Sequence, residues 1–108
     1  DSWSAKYFVE DMKKYFGEKS MEEVIQGKRT LSSPMFNLGA DLTSKRIIYN
    51  NNPVLKWCMT NVSVDIDKNN NIQPCKGSNP KRRIDGFAAL LDAYVAYERH
   101  MEEYKALI

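Results

Sequence analysis

One stretch of this chain alternates strictly between apolar and polar residues: VSVDID, residues 62–67, followed by KNNN and then IQPC. Alternation at period two sends successive side chains to opposite faces, so it predicts a strand, a turn at 68–71 and a return strand at 72–75. Pro74 has no backbone N–H to give to a ladder, which marks the return strand as an edge. Elsewhere the apolar spacing is helical or ambiguous. A hairpin among helices is α/β or α+β material with too few strands to close an independent sheet. That shortage constrains the fold more than any other feature.

The helical segments read from their spacing and caps. Trp3, Tyr7, Phe8, Met12, Tyr15 and Phe16 predict an amphipathic helix over 3–16, stopped by Gly17. SSPMFNLGADL, residues 32–42, predicts a helix capped by Ser33 with Pro34 in its first position and Met35, Leu38 and Leu42 on one face. NNPVLKWCM, residues 51–59, repeats the device: Asn52 as cap, Pro53 behind it, and a short helix through Trp57. From Ile84 one long helix is expected to reach the C-terminus, with Phe87, Leu91, Tyr94, Val95, Met101 and Ile108 on its apolar face. MEEVIQ, residues 21–26, is ambiguous. Ser20 and Glu23 imitate a capping box, whereas Val24 and Ile25 suit a strand, and the strand is favoured.

Composition removes several function classes. At 108 residues the chain is one domain's worth or less, and 43% hydrophobic with 28% charged residues is ordinary for a soluble globular protein. A net charge of +2 decides nothing about nucleic acid, so only local clustering of charge can speak. Cys58 and Cys75 lack CxxC spacing, which suggests a reducing compartment and no disulfide framework. With His100 as the one histidine, a His-based zinc site or a Ser-His-Asp triad has almost no material. No apolar run approaches the ~20 residues that span a bilayer, and DSWSAKYF is not a secretory signal. The absence of an initiating Met leads us to expect a piece of something longer.

The chemistry-bearing residues gather around KRRIDGFAALLDAY, residues 81–94. Asp85 admits two readings: an acid interacting with the positive end of a helix, or a metal-binding acid beside phosphate-contacting cations. Lys76, Lys81, Arg82 and Arg83 form the densest basic stretch, either a solvated loop or a phosphate seat. Asp92, seven residues beyond Asp85, shares its helix face roughly 10 Å along the axis. It is either a distant acid of the same cleft or a hydrogen-bonded surface residue. Asp65 and Asp67 with Asn69 and Asn71 faintly suggest calcium spacing, but the sixth-position Gly and twelfth-position Glu of an EF-hand loop are absent, so they read as turn and solvent residues. Aromatics such as Tyr7, Phe16 and Tyr94 fall on amphipathic faces and read as core, not as base-stacking platforms.

Taken together, DSWSA with the helix behind it, VIQG…LSSPM, NPVLKWCMTNV, NIQPCK and RIDGFAALLDAY resemble, in order, the C-terminal part of the nuclease domain of phage terminase large subunits. The resemblance covers nearly the whole chain. It implies an RNase H-like α/β fold, a mixed sheet flanked by helices with a long C-terminal helix. On this reading, residues 1–108 are the C-terminal portion of a single nuclease domain, its first strands and its ATP-using ATPase domain absent. It further implies acidic residues holding two Mg²⁺ or Mn²⁺ ions, which activate water and stabilise the leaving oxygen. Asp85 matches the family's last catalytic acid and Asp1 the acid before the amphipathic helix. The family's first acid has no counterpart, which implies weak metal binding and poor turnover. Lys76 matches a lysine near the scissile phosphate, and Lys81, Arg82 and Arg83 would hold the DNA backbone. The implied partners are double-stranded DNA, the terminase small subunit and the portal protein, in the host cytoplasm and without a membrane. Exposed surfaces would permit self-association. The alternatives are a non-catalytic DNA- or protein-binding module of a phage or prophage protein, or an assembly domain docking through its tyrosine-rich last helix.

Overall fold

The computed structural model describes residues 2–108, and side chains from Ser4 onward. Helices α1 (Ser2–Phe16), α2 (Lys28–Thr43) and α3 (Pro53–Thr60) precede a hairpin of β1 (Ser63–Ile66) and β2 (Ile72–Cys75). Helices α4 (Asp85–Arg99) and α5 (Met101–Ala106) follow, and a single 3-10 turn, Glu18–Ser20, lies between α1 and α2. The chain is therefore mixed, with helices dominating and a small two-stranded antiparallel sheet.

The hairpin forms as its alternation requires, Val64 facing Pro74 and Ile66 facing Ile72. Its turn is closed by Asp67, whose Oδ1 accepts the N–H of Asn71 at 2.9 Å and of Asn69 at 2.8 Å. Those donors hold the Asp67 carboxyl below the usual carboxylate range. Asp65 is likewise lowered, by the Lys28 ammonium at 2.9 Å and then the Gln73 amide at 3.1 Å. Both acids thus act as the turn and surface residues expected of them. Ser32, buried in α2, accepts the Ile72 N–H at 3.0 Å and so fastens β2 to that helix.

The core lies between α2, β2 and α4: Leu31, Met35 and Leu38, then Ile72, then Phe87, Leu91, Tyr94 and Val95. α2 starts at Lys28, five residues before the expected Ser33 cap, so Pro34 lies inside the helix. A proline in a helix interior costs roughly 3 kcal/mol. The added turn offsets this by burying Leu31, worth about 1.5–3 kcal/mol, and by placing Ser32 and Lys28 against the hairpin.

Two further expectations are corrected. MEEVIQ is not a strand. It runs extended, Val24 inward and Ile25 outward, with no neighbouring ladder among the described residues. Side chains hold it to the last helices instead: Arg99 Nη1 donates to the Glu23 carbonyl at 2.9 Å, and Gln26 Nε2 donates to Asp92 Oδ1 at 3.0 Å. The C-terminal helix is not continuous, because His100 (φ −115, ψ 17) separates α4 from α5. Its ring lies 2.9 Å from Glu22 and 3.2 Å from Glu103.

Glu22, then Glu103, raises the His100 pKa above its ordinary 6.5. The charged ring is thus favoured by folding, so its contribution is full below the unfolded value and is lost as pH rises through the folded one. We expect His100→Ala to melt lower than wild type near about pH 6 and the gap to close by about pH 9, as followed by circular dichroism.

α1 contributes nothing to the buried core among the described residues. Tyr7, Phe8, Tyr15 and Phe16 are exposed, contrary to the core role expected of Tyr7 and Phe16, whereas Tyr94 is core as expected. Ile108 is also exposed and Met101 only half-buried. The radius of gyration is 15.3 Å, against about 13 Å for a compact domain of this length. The accessible surface is 8504 Å², where a compact monomer of this mass exposes roughly 6,200 Å². Much apolar surface therefore lacks intramolecular cover.

Candidate active site

The site is assembled by α3. Asn52 caps it as expected, Oδ1 accepting the N–H of Val54 at 3.0 Å and of Leu55 at 3.1 Å, with Pro53 in the first turn. The two residues before the cap, Asn50 and Asn51, both adopt positive φ, which asparagine tolerates better than most side chains. α3 continues to Thr60, one turn farther than its motif suggests.

Its buried side then presses on the first turn of α4. A Cβ on Gly86 would lie 3.2 Å from Cys58 Sγ and 3.3 Å from Leu55 Cδ1. The glycine of Ile-Asp-Gly thus packs closely on α3, and a side chain there would require Cys58 and Leu55 to shift by a few tenths of an ångström. Cys58 is buried there as a small apolar filler, and both cysteines are free thiols. At the end of α3, Asn61 Nδ2 donates to the Arg83 carbonyl at 3.0 Å.

The basic loop is held at two more points. Asn79 Oδ1 accepts the Lys81 N–H at 3.0 Å. Gly77 turns at φ +66 with no room for a side chain, since a Cβ would lie 2.8 Å from Ser63 Oγ. Lys76, Lys81, Arg82 and Arg83 all project from this segment, exposed and without ion pairs among the described residues. They concentrate positive charge on one short segment.

Asp85 is the first residue of α4 and is exposed. The cap position falls to Ile84, and Asp85 makes no hydrogen bond or ion pair among the described residues. Its carboxylate therefore meets the helix only through the favourable field of the N-terminus. Both oxygens are open to a ligand, on a backbone fixed by Gly86 and by Asn61. Asp92 belongs elsewhere, bonded to Gln26. Asp1 lies outside the described residues. Among the described residues no three His, Cys, Asp or Glu side chains converge on a point. A lone exposed carboxylate is one hard oxygen ligand, and a hydrated divalent cation takes one or two such protein carboxylates.

Asn61, Gly77 and the packing of Gly86 against α3 are the positioning features that spacing alone did not reveal. The available signals were a side-chain amide just past a capped helix, and a glycine directly after an acid at a helix head. Asn61→Ala removes one hydrogen bond, and we expect a loss of about 0.5–1.5 kcal/mol in urea unfolding. Amide exchange across residues 82–88 should quicken in the same variant, and Asn61→Asp, which cannot donate, should behave alike.

The terminase large subunit endonuclease domain family matches residues 1–102, and the chain belongs to that family. Among individual proteins, Protein YmfN of Escherichia coli (strain K12) is 31% identical over 91 residues, covering 75% of this chain and 20% of that protein. The chain thus spans about a fifth of the length of this curated relative. No solved structure matches it.

Proposed function

We propose that this chain carries the C-terminal portion of one RNase H-like nuclease domain of a phage DNA-packaging terminase, and that the domain hydrolyses phosphodiesters of concatemeric double-stranded DNA with Mg²⁺ or Mn²⁺. Family membership supports the class. The observation that supports the chemistry is Asp85, exposed at the first position of α4 and without a hydrogen bond or ion pair among the described residues, following the exposed Lys76, Lys81, Arg82 and Arg83 in sequence. The excess of exposed surface supports a domain whose remaining strands extend the hairpin sheet.

In this reading Asp85, with Asp1 as a second acid, holds the cation against the DNA backbone. A bound divalent ion supplies Lewis-acid polarisation of the phosphodiester. Lys81, Arg82 and Arg83 seat phosphates without reading base edges, and Lys76 lies toward the phosphate to be cut. Helix α4 contributes the positive field of its N-terminus to the same anionic surface. The ATPase domain, the small subunit, the portal protein and a site of action in the host cytoplasm accompany this proposal. No helix among the described residues is long and apolar enough to cross a membrane.

The test is supercoiled plasmid incubated with the longer parent chain and Mn²⁺ or Mg²⁺, and with EDTA. Open-circular and linear products only with metal are the expected result. DNA binding with a steep salt dependence, but no cutting in either metal, would favour a non-catalytic DNA-binding module instead.

A further inference from the structure

The side of α3 that leads to the basic loop carries an exposed indole. Val54, Trp57 and Asn61 stand at i, i+3 and i+7, so they share one stripe of the helix. Asn61 ends that stripe with its bond to the Arg83 carbonyl, 3.0 Å away. One turn earlier Trp57 is 51% exposed, and Val54 is 68% exposed. Leu55 and Cys58, on the neighbouring side of the helix, face Gly86 instead. Trp57 is thus not part of the packing that joins α3 to α4. Through Asn61 this apolar, aromatic stripe leads to the segment of Lys81, Arg82 and Arg83, whose side chains are exposed and make no ion pairs among the described residues.

Charge decides what such a surface fits. A protein partner with an apolar face would leave the cations unanswered, whereas a nucleic acid offers a phosphate for each. The indole face has one partner in nucleic acid, the π-face of a base, and in a duplex that face is hidden by stacking. We propose that Trp57 and the loop carrying Lys81, Arg82 and Arg83 form a seat for unpaired nucleotides, the indole stacking on a base while the cations hold its flanking phosphates. The occupant is single-stranded DNA or a frayed duplex end. This rests on the DNA-cutting reading above and adds a substrate form to it: DNA presented with unpaired bases beside Asp85.

The sequence has two tryptophans, Trp3 and Trp57, so Trp3→Phe leaves Trp57 as the reporter. In EDTA, where no cutting occurs, that protein is titrated with a single-stranded oligonucleotide, a blunt duplex and a duplex with a single-stranded overhang. We expect quenching of Trp57 by the first and third. Adding Trp57→Ala should weaken binding of these two roughly tenfold, while Trp57→Phe retains most of it and blunt-duplex binding is unchanged. Lys81→Ala and Arg82→Ala should weaken binding of all three DNAs. Unchanged Trp57 emission at saturation, or single-stranded and overhang DNA bound by the Trp57→Ala protein as tightly as by its parent, overturns the proposal. If plasmid is still cut in Mn²⁺ in that case, the nuclease reading survives alone. Metal-dependent cutting that is absent while Trp57 is quenched sinks that reading and keeps the seat.

Discussion

Asp85→Ala should abolish metal-dependent nicking while leaving the protein folded. The side chain is exposed and is not the cap of α4. Truncation therefore removes only its interaction with the helix N-terminus, worth about 0.3–1 kcal/mol at an exposed site. Alanine also has the highest helix propensity, which offsets part of that loss. The effect on cutting should be far larger. Loss of a partner that merely orients a metal ligand costs about 10- to 100-fold, so loss of a ligand itself should exceed a hundredfold. Asp85→Asn keeps the shape and discards the charge, and should fall equally far. Both are measured as rates of plasmid conversion in Mn²⁺, with melting curves alongside. If either variant cuts at the wild-type rate with an unchanged melt, Asp85 is not a ligand and the acid is merely a helix-end charge.

What the sequence revealed about this site followed from how local each feature is. Asn52 and Pro53 announce α3 because a cap and its first turn are set within four residues. The hairpin is legible because alternation and an Asn-rich turn agree. Gly27 as the start of α2 was hidden because Ser33–Pro34 imitates a start of its own, and only tertiary burial of Leu31 and Ser32 overrides it. The break falls at His100, whose ring meets Glu22, 78 positions away, and no helix propensity reports such a pairing. The strand expected at 21–26 has the backbone extension of one but lacks a neighbour to pair with. In the site, the charges of Asp85 and the basic loop could be read directly. Their anchoring through Asn61 and Gly86 could not, since each contact joins segments more than twenty residues apart.

Leu91→Ala should bring the second large effect, a loss of most of the cooperative stability. Leu91 is 1% exposed and lies in α4 among the apolar side chains of α2 and β2. Truncating a buried leucine costs about 2.7–5 kcal/mol, the upper end applying where neighbours cannot collapse into the space. Here they are anchored: Ser32 holds β2 to α2, and Asp41 accepts the Tyr94 hydroxyl at 2.6 Å, tying α2 to α4. Burial of its ring, and then that bond, keep Tyr94 protonated well above the usual phenol range. Domains of this size hold only about 5–15 kcal/mol in total. A chain exposing 8504 Å², roughly 2,300 Å² beyond a compact monomer's surface, belongs toward the low end. The expected drop in melting temperature is therefore roughly 10–30 °C, read by circular dichroism or calorimetry. Leu107→Ala is the contrast: Leu107 is 84% exposed, and its removal should stay within about 0.5 kcal/mol of wild type. Equal melts for the two variants would mean that the α2–α4 interface is not the stabilising centre of this fold.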